Sequence, residues 1–202
     1  MFSGLVREIA PIKDFKENKL YIQSPLRPKI GDSIAVNGAC LTVIENKNDG
    51  FILELTHHTQ EKIATENLQY QAHIEPALQM SDRFDGHFVQ GHIDAIGEIT
   101  QIKHHHNQSD FLIQVPSHIT HLLIPKGSIT IDGISLTISE CTHNLLSLTL
   151  IPHTLKQTLF HTYKVGRRVN IETDMIVRSI AHILSCKKQN QWDQFDQITL
   201  GY

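Results

Sequence analysis

Ser33–Val43 reads SIAVNGACLTV, and Ser128–Ile138 reads SITIDGISLTI. Ser, Ile, Gly, Leu and Thr recur at matching places, and most other pairs are Val/Ile, Asn/Asp or Cys/Ser exchanges. Each stretch holds two short β-branched runs around a tight-turn dipeptide, Asn37-Gly38 or Asp132-Gly133, which is the signature of a β-hairpin. One hairpin written twice, far apart, predicts a duplicated module.

Working outward, Ile22-Gln23-Ser24-Pro25 answers Ile113-Gln114-Val115-Pro116, and Leu53–Thr59 (LELTHHT) answers Leu148–Thr154 (LTLIPHT). Ile74-Glu75 answers Ile171-Glu172. At the start of each copy, Met1–Ile12 is set against Gly91–Ile102, with Glu8 opposite Glu98 and Ile12 opposite Ile102. Insertions then fall between elements, where loops belong. The expected division is 1–89 and 90–174 for the two modules and 175–202 for a tail.

Phe51–Leu55 and Leu145–Ile151 read as further strands, and Gly50, Gly97, Gly127 and Gly166 punctuate the chain. Many short, evenly spaced strands predict an all-β fold, a sandwich or barrel in each module. The tail differs: Met175, Ile176, Ser179, Ile180, Ile183 and Leu184 recur at helical spacing, with Lys187-Lys188 where cations suit a helix C-terminus. An amphipathic helix on an all-β chain covers either its own barrels or another copy; the sequence leaves both open.

Composition narrows the classes. A chain of 202 residues can bury a full core without disulfide or metal staples. No apolar run approaches the roughly 20 residues of a membrane span, and MFSGLVREIAPIKDF has no basic flank leading into an apolar stretch, so no signal peptide is expected. Cys40, Cys141 and Cys186 are odd in number and widely spaced, which suits a reducing cytoplasm. A net charge of −3 with 6% aromatic residues offers nucleic acid neither a basic groove nor stacking platforms. His104-His105-His106 lie in the polar stretch Lys103–Asp110. Consecutive residues do not converge on one ion from a rigid element, so a solvated loop and no metal are expected.

Three segments stand out: Asn37-Gly38-Ala39-Cys40-Leu41-Thr42, Gly86-His87-Phe88-Val89-Gln90-Gly91-His92 and Asp132-Gly133-Ile134-Ser135-Leu136-Thr137. With the Met1-Phe2-Ser3-Gly4 start and the duplication, they closely resemble the riboflavin synthase family, α-chain type, over residues 1 to about 174. The resemblance implies two tandem six-stranded Greek-key β-barrels and a C-terminal α-helix that assembles a homotrimer. It implies no cofactor. It also implies the dismutation of two molecules of 6,7-dimethyl-8-ribityllumazine: one gives a four-carbon unit to the other, yielding riboflavin and 5-amino-6-(ribitylamino)uracil. One lumazine would sit on the N-terminal barrel of one subunit and the other on the C-terminal barrel of a neighbour. Such chemistry needs a proton taken from the 7-methyl group of one ring, a nucleophile added at C7 of the other, and both rings held in register, which itself lowers the barrier substantially.

Carried over residue by residue, the resemblance makes His92, Cys40, Ser135, Ser33 and Asp174 the catalytic candidates. Histidine side chains titrate near neutrality and suit proton transfer. Cys40 and Thr42 would line the N-terminal seat and Ser135 and Thr137 the C-terminal seat, with Thr59 and Thr154 as equivalent ring-edge contacts, His92 at the active interface and Phe2 near the shared cleft. Gly4, Val6, Thr56, Gly91, Lys126, Asp132, Ile151 and His153 complete the expected substrate-binding set. His87 is expected to be structural. His58 and His153 both stand where the family usually carries Glu, a departure repeated in both modules.

Plainer readings exist for each residue. A small Cys in a strand is commonly core, a Ser or Thr near a turn commonly bonds to backbone, and Asn or Asp before Gly shapes the turn itself. Turn chemistry does not, however, demand a polar head at both Cys40 and Ser135. The rival function is a non-catalytic lumazine- or flavin-binding protein of the same fold. Polar heads in both modules, together with His92, favour the enzyme.

Overall fold

The computed structural model describes residues 1–189. The first module holds β1 (Glu8–Lys16), β2 (Lys19–Gln23), β3 (Ser33–Val36), β4 (Ala39–Lys47), β5 (Gly50–Glu54), a short helix α1 (His57–Lys62) and β6 (Gln71–Pro76). The second holds β7 (Ala95–His104), β8 (Ser109–Gln114), β9 (Ser128–Ile131), β10 (Ile134–Thr142), β11 (Leu145–Leu150), α2 (Pro152–Gln157) and β12 (Arg168–Thr173). The final helix α3 covers Met175–Gln189; the rest of the expected helical tail lies outside the described residues. No described helix is long and apolar enough to cross a membrane.

Each set of strands closes into a six-stranded antiparallel barrel. The first runs β1-β2-β5-β4-β3-β6, and the second has the same order in its own strands, β7-β8-β11-β10-β9-β12. The two hairpins that reveal the repeat are β3–β4 and β9–β10. Their turns use left-handed backbone at Asn37 (φ 44), Gly38 (φ 83), Asp132 (φ 46) and Gly133 (φ 83), which such two-residue hairpin turns require. Four bulges, at Ile12/Asp14, Val43/Glu45, Ile99/Gln101 and Ile138/Glu140, occur at equivalent places in the two barrels. An extra residue on one strand raises the local twist, and twist lets so small a sheet close on itself.

Strand pairing corrects one part of the sequence reading. Glu8 pairs with Ile74 and Ala95 pairs with Ile171, so Glu8 is equivalent to Ala95 and not to Glu98. Likewise Ile12 N–H bonds to the Tyr70 carbonyl as Ile99 N–H bonds to that of Arg167, which equates Ile12 with Ile99 rather than Ile102. Alternating strands tolerate several alignments by composition alone; the ladder admits one. The corrected register equates Gly4 with Gly91 and Leu5 with His92.

Both barrel interiors are filled. Leu20, Ile22, Phe51, Leu53 and Ile74 in the first, and Ile99, Ile113, Ile131, Leu146, Leu148 and Ile171 in the second, are fully buried. Each such side chain contributes about 1.5–3 kcal/mol through burial. Any ligand must therefore bind on the outside of a barrel wall.

The barrels meet about a pseudo-two-fold axis through their equivalent turns. Gly38 and Gly133 sit back to back, and a Cβ on either would lie 2.7 Å from the other's backbone nitrogen. His73 Nδ1 lies 2.9 Å from the Asp132 carbonyl oxygen, while Asn170 Nδ2 donates to the Asn37 carbonyl at 2.9 Å. The Leu159 N–H donates to His73 Nε2 at 2.7 Å, so Nδ1 carries the proton and the ring is neutral. Burial drives the His73 pKa down to about 4. The axis is imperfect in one respect. Asp132 accepts the Tyr163 hydroxyl at 2.6 Å, whereas Asn37 Nδ2 has no hydrogen-bond partner among the described residues.

Candidate active site

The chain ahead of each barrel forms an arm that docks on the other barrel. Phe2 N–H donates to the Val89 carbonyl at 2.8 Å and Val89 N–H returns the bond at 3.2 Å, where the two arms cross. Beyond the crossing, the Gly4 carbonyl accepts from Ser135 N–H at 2.7 Å, and the Gly91 carbonyl accepts from Cys40 N–H at 2.9 Å. Val6 packs against the core of the second barrel and Ile93 against the core of the first. Gly4 and Gly91 are glycine for two reasons: φ is +76 and +78, and a Cβ would meet the Ser135 or Cys40 Cβ at 2.7 and 2.6 Å.

A buried carboxylate anchors each arm. Glu75 accepts from Ser3 N–H (2.7 Å), Ser3 Oγ (2.8 Å) and Gly4 N–H (3.0 Å). Glu172 accepts from Gln90 N–H (2.8 Å) and Gly91 N–H (2.9 Å). Burial raises both pKa values, that of Glu172 to about 7, against the pull of the backbone donors and of a cation, Arg7 for Glu75 and Arg178 for Glu172.

Two equivalent candidate seats result, one on the outer wall of each barrel. On the first, β3 and β4 set Ser33 opposite Thr42, with Cys40 two residues along the same face. Arm residues Gly91 and His92 lie beside them, His92 exposed. Thr56 caps α1, its Oγ1 accepting from Thr59 N–H (3.1 Å) and lying 2.9 Å from Thr59 Oγ1. Ser33 also lines an open cleft of about 370 Å³ with Arg27, Asp32 and Ala77. On the second barrel, β9 and β10 set Ser128 opposite Thr137, with Ser135 two residues away. Lys126, Ile151 and His153 are exposed around it and Thr154 is half-buried. Ser128, the counterpart of Ser33, was not singled out from the sequence.

The seats differ in chemistry. Ser135 Oγ lies 2.8 Å from His87 Nδ1, and His87 Nε2 lies 3.3 Å from Thr130 Oγ1. Burial lowers the His87 pKa while the Asp174 carboxylate opposes the shift. A neutral imidazole between two hydroxyls accepts a hydrogen bond from one and donates to the other, so His87 links Ser135 to Thr130. Cys40 has no such hydrogen-bond partner among the described residues. His87, expected to be structural, meets Ser135 across 48 positions of sequence, a pairing that sequence reasoning did not show.

Other residues singled out from the sequence have partners of their own. Asp132 is fully buried, and its carboxylate is spent on Tyr163 and the Asn170 N–H (2.7 Å) beside Arg167, so it braces the barrels rather than facing a ligand. Phe2 is also fully buried, packed with Ala35, Val89 and Cys40, and supports the first seat from beneath. Asp174 accepts from Ile176 N–H at 2.7 Å and so caps α3. His58 and His153 are exposed on α1 and α2. The histidine triplet ends the β7–β8 hairpin, with His104 on Ser109 and His105 on Asp110, and no group of three metal-ligating side chains occurs among the described residues.

Comparison with known proteins agrees with the duplication. The lumazine binding domain family matches residues 3–75 and again 90–174. The riboflavin synthase of Bacillus subtilis is 34% identical over 203 residues, covering 96% of this chain and 94% of its own length. That of Photobacterium phosphoreum is 40% identical over 162 residues, 79% of this chain and 74% of its own. Among solved structures, LumP complexed with 6,7-dimethyl-8-(1'-D-ribityl)lumazine superposes with a TM-score of 0.74 at 20% identity, covering 86% of this chain and 99% of LumP.

Proposed function

We propose that this chain, which belongs to the riboflavin synthase family, converts two molecules of 6,7-dimethyl-8-ribityllumazine into riboflavin and 5-amino-6-(ribitylamino)uracil. It is an enzyme that moves a four-carbon unit between two lumazines. The observation that carries the reading is the pair of equivalent seats with unequal chemistry. Equivalent walls suit two copies of one molecule. Unequal polar heads, Cys40 with His92 on one and Ser135 with His87 on the other, suit two copies with different fates.

The substrate ring is its own electron sink, so the carbon transfer balances without an added oxidant or reductant. The donor ring becomes the aminouracil and the acceptor gains the four carbons that complete the flavin. His92 serves the proton of the 7-methyl group. The His87–Ser135 pair serves addition and proton return at C7. Thr42, Thr56 and Thr59 on one wall, and Lys126, Thr137, Ile151, His153 and Thr154 on the other, orient the rings. Ser33 and Asp174 stand at the margins of the two seats, and Gly4, Val6 and Gly91 hold the arms.

Thr42, Thr56, Thr137 and Ile151 are exposed, so each seat is open in the single chain. A second copy closing over it would exclude water and bring the other ring face to face. Ile176, Ile180, Ile183 and Leu184 form an exposed apolar stripe on α3, which supports assembly through that helix. The reading is a cytoplasmic homotrimer with two lumazines at each subunit interface and the division 1–89, 90–174 and 175–202.

The test is direct incubation with the lumazine while riboflavin absorbance is followed. One riboflavin should form per two lumazines consumed. Stoichiometric binding without turnover would instead identify a carrier and overturn the reading. In an active preparation, Ser135→Ala should lower turnover on the order of 100-fold or more, the scale of a lost proton-transfer group, with an unchanged melting temperature.

A further inference from the structure

The two arms are anchored alike by Glu75 and Glu172, but the second carries an additional clamp. Arg178, in the first turns of α3, pairs with the Asp94 carboxylate and donates from Nη2 to Gln90 Oε1 at 2.7 Å. Its guanidinium is 3.9 Å from Glu172. The same Asp94 oxygen, Oδ2, also accepts from Thr173, through N–H at 2.8 Å and Oγ1 at 2.6 Å. Gln90 and Asp94 bracket Gly91 and His92. The arm is thus tied at both ends to the base of the helix, with His92 between the ties.

The corrected register shows that this clamp belongs to one module only. Arg7 stands where Asp94 would be in the first arm, and Leu5 stands where His92 would be. The arm with the imidazole is the arm with the clamp. α3 also turns an apolar stripe outward, away from Arg178, which is only 26% exposed.

We propose that Arg178 is a positioning residue: it locks Gln90–Asp94, and with it His92, to the helix through which copies assemble. The proposal rests on His92 acting in turnover, as read above. Arg178 reaches no substrate itself. It acts by fixing where the arm lies against Cys40, and a shift of that arm by about 1 Å is enough to cost on the order of 100-fold in rate.

The experiment compares the full-length protein with Arg178→Ala, Arg178→Lys, Asp94→Asn and the double variant Asp94→Asn/Arg178→Ala. Arg178→Ala should lower kcat roughly 10- to 100-fold with KM changed by less than about threefold. Arg178→Lys, keeping charge but not the fork, should recover part of the loss. The double variant should be no worse than the poorer single variant, because both act through one contact. Amide hydrogen exchange at Gln90 and Gly91 should quicken in Arg178→Ala while sedimentation stays that of the wild type. Wild-type kcat in Arg178→Ala, unchanged exchange at Gln90 and Gly91, or activity lost only in step with assembly would overturn the proposal. A wild-type protein without turnover would sink the functional reading alone, since exchange still reports the clamp.

Discussion

Replacing Gly91 with Ala tests the docking of the second arm, and the structure sets its magnitude. Gly91 has φ +78, and a Cβ there would lie 2.6 Å from Cys40 Cβ, 2.8 Å from Cys40 N and 3.0 Å from Cys40 Cα. Left-handed backbone costs an L-residue about 1–2 kcal/mol. The clash is against strand backbone pinned in the β3–β4 ladder, so the arm must yield. Restoring an ordinary carbon–carbon contact of roughly 3.5 Å needs a displacement of about 1 Å. That movement strains the Cys40 N–H···O=C Gly91 bond and the Gly91 N–H···Glu172 bond, and a buried polar group left unpaired costs about 1–3 kcal/mol. The expected loss is about 2–5 kcal/mol in total. Gly31→Ala is the matched control: φ is +93 but nothing lies within 4 Å of its Cβ, so it should lose only the backbone share of about 1–2 kcal/mol. Equilibrium urea unfolding reads both, and initial rates of riboflavin formation should fall about 100-fold in Gly91→Ala alone. A Gly91→Ala protein no less stable than Gly31→Ala, with ordinary turnover, would refute the arm exchange.

Two further outcomes follow from named groups. Glu172 has its pKa raised from 4.5 to about 7 in the folded chain, so between those values the native state holds a proton that the unfolded chain releases. Its contribution to stability is full below pH 4.5 and lost as pH rises through 7, by about 3 kcal/mol at 1.36 kcal/mol per pH unit. Urea midpoints at pH 5 and pH 8 should therefore move in favour of Glu172→Gln as pH rises, with Asp94 and Arg178 the charges facing the site; a constant difference would contradict the assignment. Ile180, 53% exposed on α3 and outside both barrel cores, is predicted to support assembly. Ile180→Glu should sediment as a smaller species with its barrels still folded, and unchanged sedimentation would remove α3 from the interface.

Much of the fold was legible because hairpins are local. Alternating β-branched residues around Asn37-Gly38 and Asp132-Gly133 encode strand, turn and strand within a few positions, and the repeat then assigns the same structure twice. Helical spacing in the tail was equally local. The alignment of β1 with β7 failed because alternation repeats every second residue and cannot choose among shifted registers. In the site, Cys40 and Ser135 were recognisable by equivalence. Asp132 and Phe2 were misjudged because burial is a property of the assembled barrels. Glu75 and Glu172 were visible as a repeated pair, but nothing near them in sequence indicated that their partners were the arm amides.

The sequence by itself determined that two copies of one β-module lie in tandem, where their hairpin turns fall, and which strand faces are apolar. These follow from short-range backbone preference and from the period of two along a strand. Tertiary structure alone decided that the arms cross, that His87 meets Ser135, and that Glu172 holds Gly91 across 81 positions. Those contacts exist only after both barrels close and pack about the Gly38–Gly133 axis. Closure, not local propensity, sets their distances.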